Sequence, residues 1–581
     1  MILQNDNSGF IRKLFSRQIW LGVTAQVVAS FAPIVCGMIA GTVFGITGLA
    51  VTGLFAPLFF LSGFFGTIIA GGSATLAAKY IARDDNRRVT EIYSLAMLMA
   101  VLCALALFII CMLLREPILF VIAGTGDLLE AAARYYAPSV WYTCFSVIVL
   151  IPLFWARLIG KPKLALVLTM TLTAGSIIFS LLFTFGFGMG LEGLAIAQAL
   201  GTALAFVIVL VMLHLSKNNM RLVRPHHLKD DAIALVSAGS PLGFSRLYRF
   251  LSLFIINIIL LNMVGPEAVA VFGVLNILLR FVTAFVGGVA AVQMPIAGVL
   301  FEERDNTSLR QLARITYIHG NVIVFTVAVL LFIFNRNIAL MFGTGGEMFF
   351  IALLCFCIYI PFYMNGSLFV SWYTALRRVK LANLVTLLQD MVFPVMLAFL
   401  FSGLGGNEVW LYLPVAGVAL FLFLPVLLIL IRRREKDISF PLLLNTKSVA
   451  TTLAFSVERD AEKASKASLA VGDFCEEAGF ERKKSMLMSL AIEEMITLIA
   501  EQNPGGGDIS VRLSPSDDGV ILRLRDIGRK FNPIEYYTKR LDQADDIENN
   551  IDLIGVKYIK EAAKTVNYRE TFGVNNLVVI I

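Results

Sequence analysis

The sequence predicts a polytopic, all-α membrane protein with twelve transmembrane helices in two six-helix lobes, followed by a soluble α+β domain. Two observations predict this fold class. Hydrophobic residues make up 58% of the 581 residues and charged residues only 15%. Apolar stretches of ~20 residues, the length that crosses a bilayer core, recur as far as residue 435, where the composition changes abruptly.

Twelve apolar stretches are long enough to serve as membrane spans. Their approximate ends are residues 18–41, 46–74, 91–114, 134–158, 164–187, 190–215, 238–264, 267–299, 312–334, 347–372, 382–403 and 408–431.

Basic residues lie before the first span and after every even-numbered span. Examples are Lys13, Arg88, Lys161, Lys217, Arg310, Arg378 and Arg433. The odd-numbered gaps contain few, namely Arg115, Arg134 and Arg336. Because basic loops stay on the cytoplasmic side, we expect a multi-pass protein of a bacterial-type plasma membrane with both termini cytoplasmic.

The composition also excludes several classes of ligand. The net charge of +7 comes from basic residues beside the spans, so we expect no nucleic-acid partner. Six of the seven cysteines lie in apolar spans, where cysteine behaves as a small hydrophobic residue, so we expect no metal site.

The membrane part contains an internal repeat. Trp155, Lys163 and Thr169 recur as Trp372, Lys380 and Thr386 with an offset of 217, and Asp85-Asn86 recurs as Asp305-Asn306. Parallel repeats of six spans are typical of transporters. We therefore predict three domains: residues 1–237, a first lobe with a central cytoplasmic loop; residues 238–436, a second lobe; and residues 437–581, a cytoplasmic domain.

Four local patterns resemble the MATE family of multidrug and toxic compound extrusion transporters. They are a glycine-punctuated turn over 41–54, the basic motif Arg157–Lys163, and the helix openings at 190–198 and 239–245. The resemblance implies two six-helix lobes facing a central cavity and rocking between inward-open and outward-open states. Small residues that would allow close, sliding helix contacts are Gly71, Gly72, Ser73, Gly287 and Gly288.

The sequence departs from this family at its usual coupling group. Many members carry an aspartate five residues before the glycine that matches Gly41, and here that position is Cys36. Ionisable residues at membrane depth are expected only in the second lobe, as Arg280 and Asp390. The candidate substrate- or ion-binding residues are therefore Asp390, Arg280, Gln389, Asn257, Asn276, Gln26 and Tyr359.

Three interpretations of Arg280 and Asp390 remain open. In the first, they form a structural ion pair between spans eight and eleven. Alternatively, Asp390 binds H⁺ or Na⁺, or Arg280 binds an anionic group of the substrate. In the third interpretation the two residues do not meet. Loss of the first-lobe carboxylate predicts coupling through the second lobe, or a less cationic substrate.

The tail alternates between strand and helix patterns in the order β-α-α-β-β-α-β-β. Strands are predicted over 449–458, 509–513, 520–525, 567–571 and 577–581, and helices over 461–478, 481–501 and 553–566. The turn Ser514–Gly519 joins the second and third strands as a hairpin. We expect helices on one face of a mixed sheet.

This order and three motifs resemble the GHKL ATP-binding fold of the anti-sigma-factor serine kinases. Glu494 matches the family's helix glutamate, but Leu498 replaces its magnesium-binding asparagine. Asp526 and Gly528 match the adenine-reading loop, and Gly555 matches a glycine of the phosphate lid, with Leu553 at another. Since leucine cannot bind magnesium, the tail is predicted to sense ATP or ADP without catalysis, to bind proteins without nucleotide, or to act as a kinase.

The sequence thus predicts a secondary exporter of small organic compounds, coupled to Na⁺ or H⁺ and regulated by the tail. It is predicted to be a transporter rather than an enzyme, and no phosphate-loop motif of an ATP-driven pump occurs. Membrane lipids, a small-molecule substrate and a protein bound to the tail are the expected partners. The alternatives are a flippase for lipid-linked precursors and a membrane-anchored sensor that does not transport.

Overall fold

A computed structural model describes the chain from residue 8 to residue 580 with internal gaps. The described ranges are 8–81, 85–124, 126–158, 162–215, 222–302, 305–404, 406–435, 438–439, 441–445, 452–477, 479–503, 507–516, 519–543, 554–571 and 574–580. Some sequence features singled out above lie wholly or partly outside the described residues: Lys161 with part of the motif Arg157–Lys163, Lys217, part of the turn Ser514–Gly519, Leu553, and parts of the predicted elements 449–458, 461–478, 553–566 and 577–581.

The membrane part is helical throughout, as the sequence predicts. Its helices are α1 (Ser8–Ile81), α2 (Asn86–Leu113), α3 (Arg115–Ala123), α4 (Asp127–Leu158), α5 (Pro162–Leu181), α6 (Leu191–Leu215), α7 (Leu228–Met263), α8 (Pro266–Glu302), α9 (Asn306–Ile333), α10 (Asn335–Met341), α11 (Glu347–Ala375), α12 (Val379–Leu387), α13 (Phe393–Ser402) and α14 (Tyr412–Arg434).

Eleven segments of the described chain are long and apolar enough to cross a membrane, against twelve predicted spans. The difference lies in α1, which merges the first two predicted spans into one helix of 74 residues. Gly45 interrupts it with φ 63° and ψ −154°, a conformation that a residue with a Cβ rarely adopts. Because the chain changes direction there, α1 supplies two crossings. The short helices α3 and α10 were not predicted.

The described chain divides into two compact units, and most of the membrane part forms one of them, residues 20–294 and 317–426. Small residues set its helix contacts. A Cβ on Gly72 of α1 would lie 2.0 Å from the Leu235 carbonyl of α7, and one on Gly288 of α8 would lie 2.5 Å from Val23 Cα. The two backbones can approach this closely only because these positions are glycine.

The other unit comprises residues 1–19, 295–316 and 427–581. Its tail contains β1 (Ile438–Ser439), β2 (Leu444–Asn445), β3 (Leu453–Glu458), α15 (Ala461–Glu477), α16 (Arg482–Gln502), β4 (Asp508–Ser516), β5 (Gly519–Asp526), α17 (Pro533–Gln543), α18 (Ile554–Ala562), β6 (Thr565–Thr571) and β7 (Val574–Ile580). Helix α17 was not predicted.

The tail sheet has the order β3-β4-β5-β7-β6, and every neighbouring pair is antiparallel. The prediction of a mixed sheet was therefore wrong. Only two residues of sequence separate the paired strand ends Ser516 and Gly519, and likewise Thr571 and Val574, and so short a connection can join only antiparallel strands. The core lies between one face of the sheet and the helices α15, α16 and α18, and includes Phe455, Val511 and Leu522.

The opposite face of the sheet is polar yet buried. Residues alternate along a strand, so Ser456, Ser510, Arg512 and Arg525 point away from the core formed with the helices. Ser510, Arg512 and Arg525 are nevertheless buried. Burial lowers the pKa of the Arg525 guanidinium to about 10. An isolated sheet domain would expose these side chains to water.

This polar face contacts two segments of the same unit that begin membrane helices. Lys13 Nζ of α1 lies 3.0 Å from Asp508 Oδ1, and Arg512 Nη1 lies 2.9 Å from Asp305 Oδ2 at the start of α9. The Arg512 and Asp305 side chains are 7% and 3% exposed, so their charges depend on each other for solvation.

Asp305 belongs to the Asp-Asn pair that recurs in the internal repeat. Asp85 accepts a hydrogen bond from the backbone N–H of Arg88 and caps α2, and Asp305 accepts one from Ser308 and caps α9, each at 3.1 Å. A side chain three residues ahead of a helix N–H is placed to satisfy it. The recurring Asp-Asn pair is thus a helix cap in both repeats, and the second cap also contacts the tail sheet.

The buried pair can be tested with a double-mutant cycle. Asp305→Ala and Arg512→Ala are each expected to destabilise the tail-containing unit by about 3–5 kcal/mol, because each removes one partner of a buried ion pair. The double variant should lose less than the sum of the two single losses. The measurement is denaturant unfolding of the purified chain, followed by limited proteolysis of the tail.

Lys13→Ala provides the matched control for an exposed ion pair. The Lys13 side chain is 58% exposed, so its loss should cost less than about 1 kcal/mol. Additive losses from Asp305→Ala and Arg512→Ala would contradict direct coupling between the two side chains.

Candidate functional site

A cavity of about 600 Å³ lies within the helical unit of the membrane part. Its walls come from α1, α4, α7, α8, α11 and the segment after α12. Its polar and aromatic lining includes Gln26, Phe60, Tyr142, Arg246, Arg249, Arg280, Tyr363 and Asp390. This volume lies in the usual range of about 300–1,000 Å³ for small-molecule sites.

Helical spacing places the arginines on the cavity wall. Ser245, Arg246 and Arg249 share one face of α7, because residues three and four apart are neighbours on a helix. On α8, Arg280 is followed on the same face by Thr283, Ala284, Gly287 and Ala290. The small side chains beyond Arg280 leave open the space that the cavity occupies.

Asp390 projects from an irregular turn. Residues Leu388–Val392 form a π-helical turn between α12 and α13. Pro394 has no N–H to donate to the carbonyl of Asp390 four residues before it, so a regular α-helical ladder cannot continue there. Such turns often occur at functional sites because they redirect a side chain.

Asp390 pairs with Arg249, a residue that the sequence analysis did not select. Its Oδ1 lies 3.6 Å from Arg249 Nε, and Arg249 Nη2 donates to the hydroxyl of Tyr363. Of the three interpretations left open for Arg280 and Asp390, the structural ion pair between them is not the contact found, and Asp390 pairs with Arg249 of α7 instead. Arg249 also lies over the Tyr363 ring, 5.2 Å from its centroid.

Arg246 and Arg280 form no ion pair with a carboxylate among the residues that the structure describes. Arg280 lies over the Phe60 ring at 5.0 Å, and Arg249 lies near the same ring at 5.9 Å. The aliphatic part of Arg246 passes beside Gly63 of α1, whose Cβ position is 3.6 Å from Arg246 Cδ. The expectation that Arg280 and Asp390 are the only membrane-depth ionisable residues was wrong, since Arg246 and Arg249 lie within a membrane-competent segment, Leu242–Met263.

A second cavity, of about 240 Å³, shares Pro33, Phe59, Tyr142 and Arg280 with the first. It is also lined by Cys36, Gln198 and the predicted candidate Asn276. Cys36, the position where the family often has an aspartate, lies with its Sγ 3.3 Å from Ser180 Oγ. Arg280 thus reaches the cavity in which this chain lacks that carboxylate.

Gln26 also lines the first cavity, but three other predicted candidates lie in the packing behind it. Gln389 Nε2 donates to the Tyr363 carbonyl and to Ser367 Oγ, each at 3.0 Å. Asn257 Nδ2 donates to the Gly53 carbonyl at 3.1 Å, and the Tyr359 ring packs on Tyr363. These contacts assign Gln389, Asn257 and Tyr359 to the support of the cavity wall.

In the tail, the residues predicted to read a nucleotide make hydrogen bonds within the domain. Asp526 accepts from Asn575 Nδ2 at 2.8 Å and from Arg459 Nη2 at 3.0 Å, through different carboxylate oxygens. Burial raises the pKa of the Asp526 carboxyl, and the Asn575 hydrogen bond and the Arg459 charge partly oppose this rise. A Cβ on Gly528 would lie 2.7 Å from the same carboxylate and from Asn503, so no side chain fits there.

Glu494 of α16 accepts from the backbone N–H of Val556 at 2.8 Å and is buried. It therefore caps the start of α18, the helix that also contains Gly555. The sequence matches Glu494 to the helix glutamate of the GHKL fold, and the structure gives this side chain a capping role at α18.

Water access to the larger cavity can be tested by thiol labelling. In a background without the seven native cysteines, Thr283→Cys should react with a small water-soluble maleimide in detergent solution, because Thr283 lines the cavity. Thr386→Cys is the matched control, since Thr386 is buried and bonds the Ala382 carbonyl. Equal labelling of the two cysteines in folded protein would contradict a water-filled cavity.

Comparison with known proteins shows which family the membrane part matches. The MatE family profile matches two segments, residues 23–182 and 241–400, which together cover more than half of the chain. The two matches fall on the two halves of the repeat seen in the sequence. No curated protein sequence matches the chain significantly.

Solved structures show the same fold at low sequence identity. An inward-facing multidrug resistance MATE transporter of the MOP superfamily is 17% identical with a TM-score of 0.62, covering 68% of this chain and 93% of its own. An outward-facing counterpart is 17% identical with a TM-score of 0.57, covering 74% and 96%.

A MOP superfamily transporter from Pyrococcus furiosus is also 17% identical, with a TM-score of 0.57, and covers 71% of this chain and 95% of its own. It is described as having a binding pocket of reverse polarity that suggests a different function. The two profile matches and this shared helical fold show that the chain belongs to the MatE family of transporters.

Proposed function

We propose that this protein is a secondary active exporter of small organic compounds that works through the 600 Å³ cavity. The observation that supports this is the cavity itself, which has charged and polar side chains inside membrane-competent helices. Charged groups at membrane depth are costly and normally serve a substrate or ion pathway. A membrane-anchored sensor without transport would have no use for such a cavity, so transport is the better account.

The coupling cation, H⁺ or Na⁺, is proposed to bind at Asp390. Cys36 replaces the first-lobe carboxylate, and Asp390 is the one carboxylate among the lining residues of the two cavities. Its partner Arg249 lies on a different helix, so movement of α7 relative to the π-helical turn would separate the pair. A cation bound to the released carboxylate would then keep it from re-pairing with Arg249.

Transport of a lipid-linked precursor is the second candidate function. The observation that favours it is that Arg280 lines both cavities, where its guanidinium can meet a phosphate group.

The two chain termini are proposed to lie together in the cytoplasm of a cell with a bacterial-type plasma membrane. The contact between Lys13 and Asp508 supports the placement of both ends on one side. The loop before α9, which contributes Asp305 to the same unit, follows an even number of crossings and therefore belongs on that side as well.

The tail is proposed to regulate transport through its contacts with α1 and α9, without catalysis. The pair between Arg512 and Asp305 is the route, because Asp305 also caps α9. Of the three roles left open by the sequence, a domain that works without nucleotide is favoured, since the Asp526 side chain is only 2% exposed and already accepts hydrogen bonds from Asn575 and Arg459. A protein partner of the tail remains part of the proposal.

The coupling role of Asp390 predicts that Asp390→Asn abolishes gradient-driven transport. Purified protein is reconstituted in proteoliposomes, and efflux of 1-naphthyl phosphate and ethidium, an anionic and a cationic probe, is measured under imposed H⁺ and Na⁺ gradients. The variant should retain exchange of probe across the membrane without a gradient, because the cavity remains.

Glu130→Gln is the control, since the same acid-to-amide change is made at an exposed side chain. Gradient-driven efflux that survives in Asp390→Asn would refute coupling at this carboxylate. Absence of all probe movement in the unaltered protein, whatever the gradient, would refute the exporter proposal for these two probe classes.

The tail proposal predicts that the full-length protein binds neither ATP nor ADP in the presence of Mg²⁺, even at millimolar concentration. Isothermal titration of the detergent-solubilised chain measures this, with Asp526→Asn as the comparison. Saturable binding that Asp526→Asn removes would instead establish adenine recognition by the tail.

A further inference from the structure

We propose that the transported compound is an organic anion, an amphiphile with a phosphate or carboxylate head, and that Arg246 and Arg280 bind this head. The inference rests on the proposed function only in taking the 600 Å³ cavity as the transport site. It does not depend on which ion, if any, is coupled.

The first argument is the charge of the cavity. Its lining contains three guanidinium groups, on Arg246, Arg249 and Arg280, and one carboxylate, on Asp390. Asp390 lies 3.6 Å from Arg249 Nε and neutralises that group. Two positive charges therefore remain for a ligand, and an organic cation would meet a site of its own sign.

The second argument is that these two charges have no structural purpose among the described residues. A buried arginine that serves packing is normally paired, because an unpaired charge inside a membrane protein is expensive. Arg249 meets this requirement through Asp390 and the Tyr363 hydroxyl. Arg246 and Arg280 have no carboxylate partner within the described ranges, so their charge is available to whatever enters the cavity.

The third argument is geometric. Arg246 on α7 and Arg280 on α8 line the same cavity from two different helices. The hydroxyl groups of Ser245 and Thr283 on the same wall already donate to the Leu242 and Arg280 carbonyls, so the guanidinium groups are the donors left for a ligand. A planar guanidinium binds a carboxylate or phosphate through two parallel hydrogen bonds.

The aromatic lining defines the rest of the ligand. Phe59, Phe60 and Tyr142 line the cavity, and Phe59 and Tyr142 also line the smaller one. The guanidinium groups of Arg249 and Arg280 lie 5.9 and 5.0 Å from the centroid of the Phe60 ring. An anion with an apolar or aromatic body would place its head on the arginines and its body against these rings.

The smaller cavity supports the same assignment. Where the family often has an aspartate, Cys36 bonds Ser180, and the cationic group in that cavity is Arg280. The lining thus has an arginine and no carboxylate at the place where a cationic substrate would need the opposite charge.

The test is a binding series with one ring system and four head groups. Full-length protein in phosphatidylcholine nanodiscs is titrated with 1-naphthyl phosphate, 1-naphthoate, 1-naphthalenemethanol and 1-naphthylmethylammonium. The expected affinity order is phosphate, carboxylate, alcohol, ammonium. Arg246→Gln and Arg280→Gln should each weaken the two anions about tenfold and leave the alcohol unchanged.

Asp390→Asn should have the opposite effect on anion affinity. It removes the negative charge of the cavity lining, so both anionic probes should bind several-fold more tightly. Arg134→Gln, at an exposed side chain, is the control with no expected effect. Thermal unfolding shows whether each variant is folded, and Arg280→Lys, which keeps the charge, should retain more anion affinity than Arg280→Gln. Tightest binding of the ammonium probe, or equal shifts for all four probes, would overturn the proposal.

A final experiment distinguishes a lipid ligand from a soluble organic anion, since either can supply such a head group. If phosphatidylglycerol nanodiscs weaken 1-naphthyl phosphate binding through competition, the ligand is a lipid head group; unchanged binding identifies a soluble organic anion. Either result supports an anion site. The binding test applies no gradient, so it is independent of the transport test. Anion binding without coupled transport would refute only the proposed function, and coupled transport with a preference for the cationic probe would refute only the anion site.

Discussion

Three guanidinium groups inside a bilayer-spanning helix bundle must each be solvated, and this constraint accounts for the cavity. Arg249 is solvated by Asp390 and Tyr363, whereas Arg246 and Arg280 line an open space that water can fill. The space exists because α8 continues from Arg280 with small side chains. Larger residues at Ala284 and Gly287 would remove the water and leave Arg280 in an apolar medium at a cost of several kcal/mol.

The capping aspartates of the two repeats differ in the residues that surround them. Asp85 and Asp305 cap equivalent helices, yet the first cap lies beside an ion pair between Arg88 and Asp231, both in the helical unit, and the second pairs with Arg512 of the tail. A cap carboxylate has one oxygen to spare after accepting a helix N–H. The tail sheet thus contacts a helix end that carries an acidic cap in both repeats.

The sequence was enough to predict features that depend on composition and period, and not those that depend on contacts between distant residues. The apolar stretches of about 20 residues predicted the membrane spans. The alternation of apolar and polar residues in the tail predicted β4, β5 and β7 close to their observed ends. The sheet direction was missed because strand pairing is set by tertiary contacts. In the site, Asp390 and Arg280 could be recognised as isolated charges in apolar runs. Arg246 and Arg249 lie near the start of the apolar segment Leu242–Met263 in the middle of α7, where the sequence alone does not tell a cavity charge from one beside the membrane surface, and only the fold brings Arg249 beside Asp390.

The membrane potential gives an anionic substrate a driving force that a cationic one lacks. In a cell whose interior is negative, moving one negative charge outward is favoured by about 2.3 kcal/mol per 100 mV. A dianion would also balance the two unpaired arginines, so the loaded cavity would have no net charge among its lining residues and ligand. Cation coupling requires Asp390 to leave Arg249, whereas export driven by potential requires the pair to persist as an internal counter-ion. The replacement of the first-lobe carboxylate by Cys36 therefore removes little that an anion exporter would need.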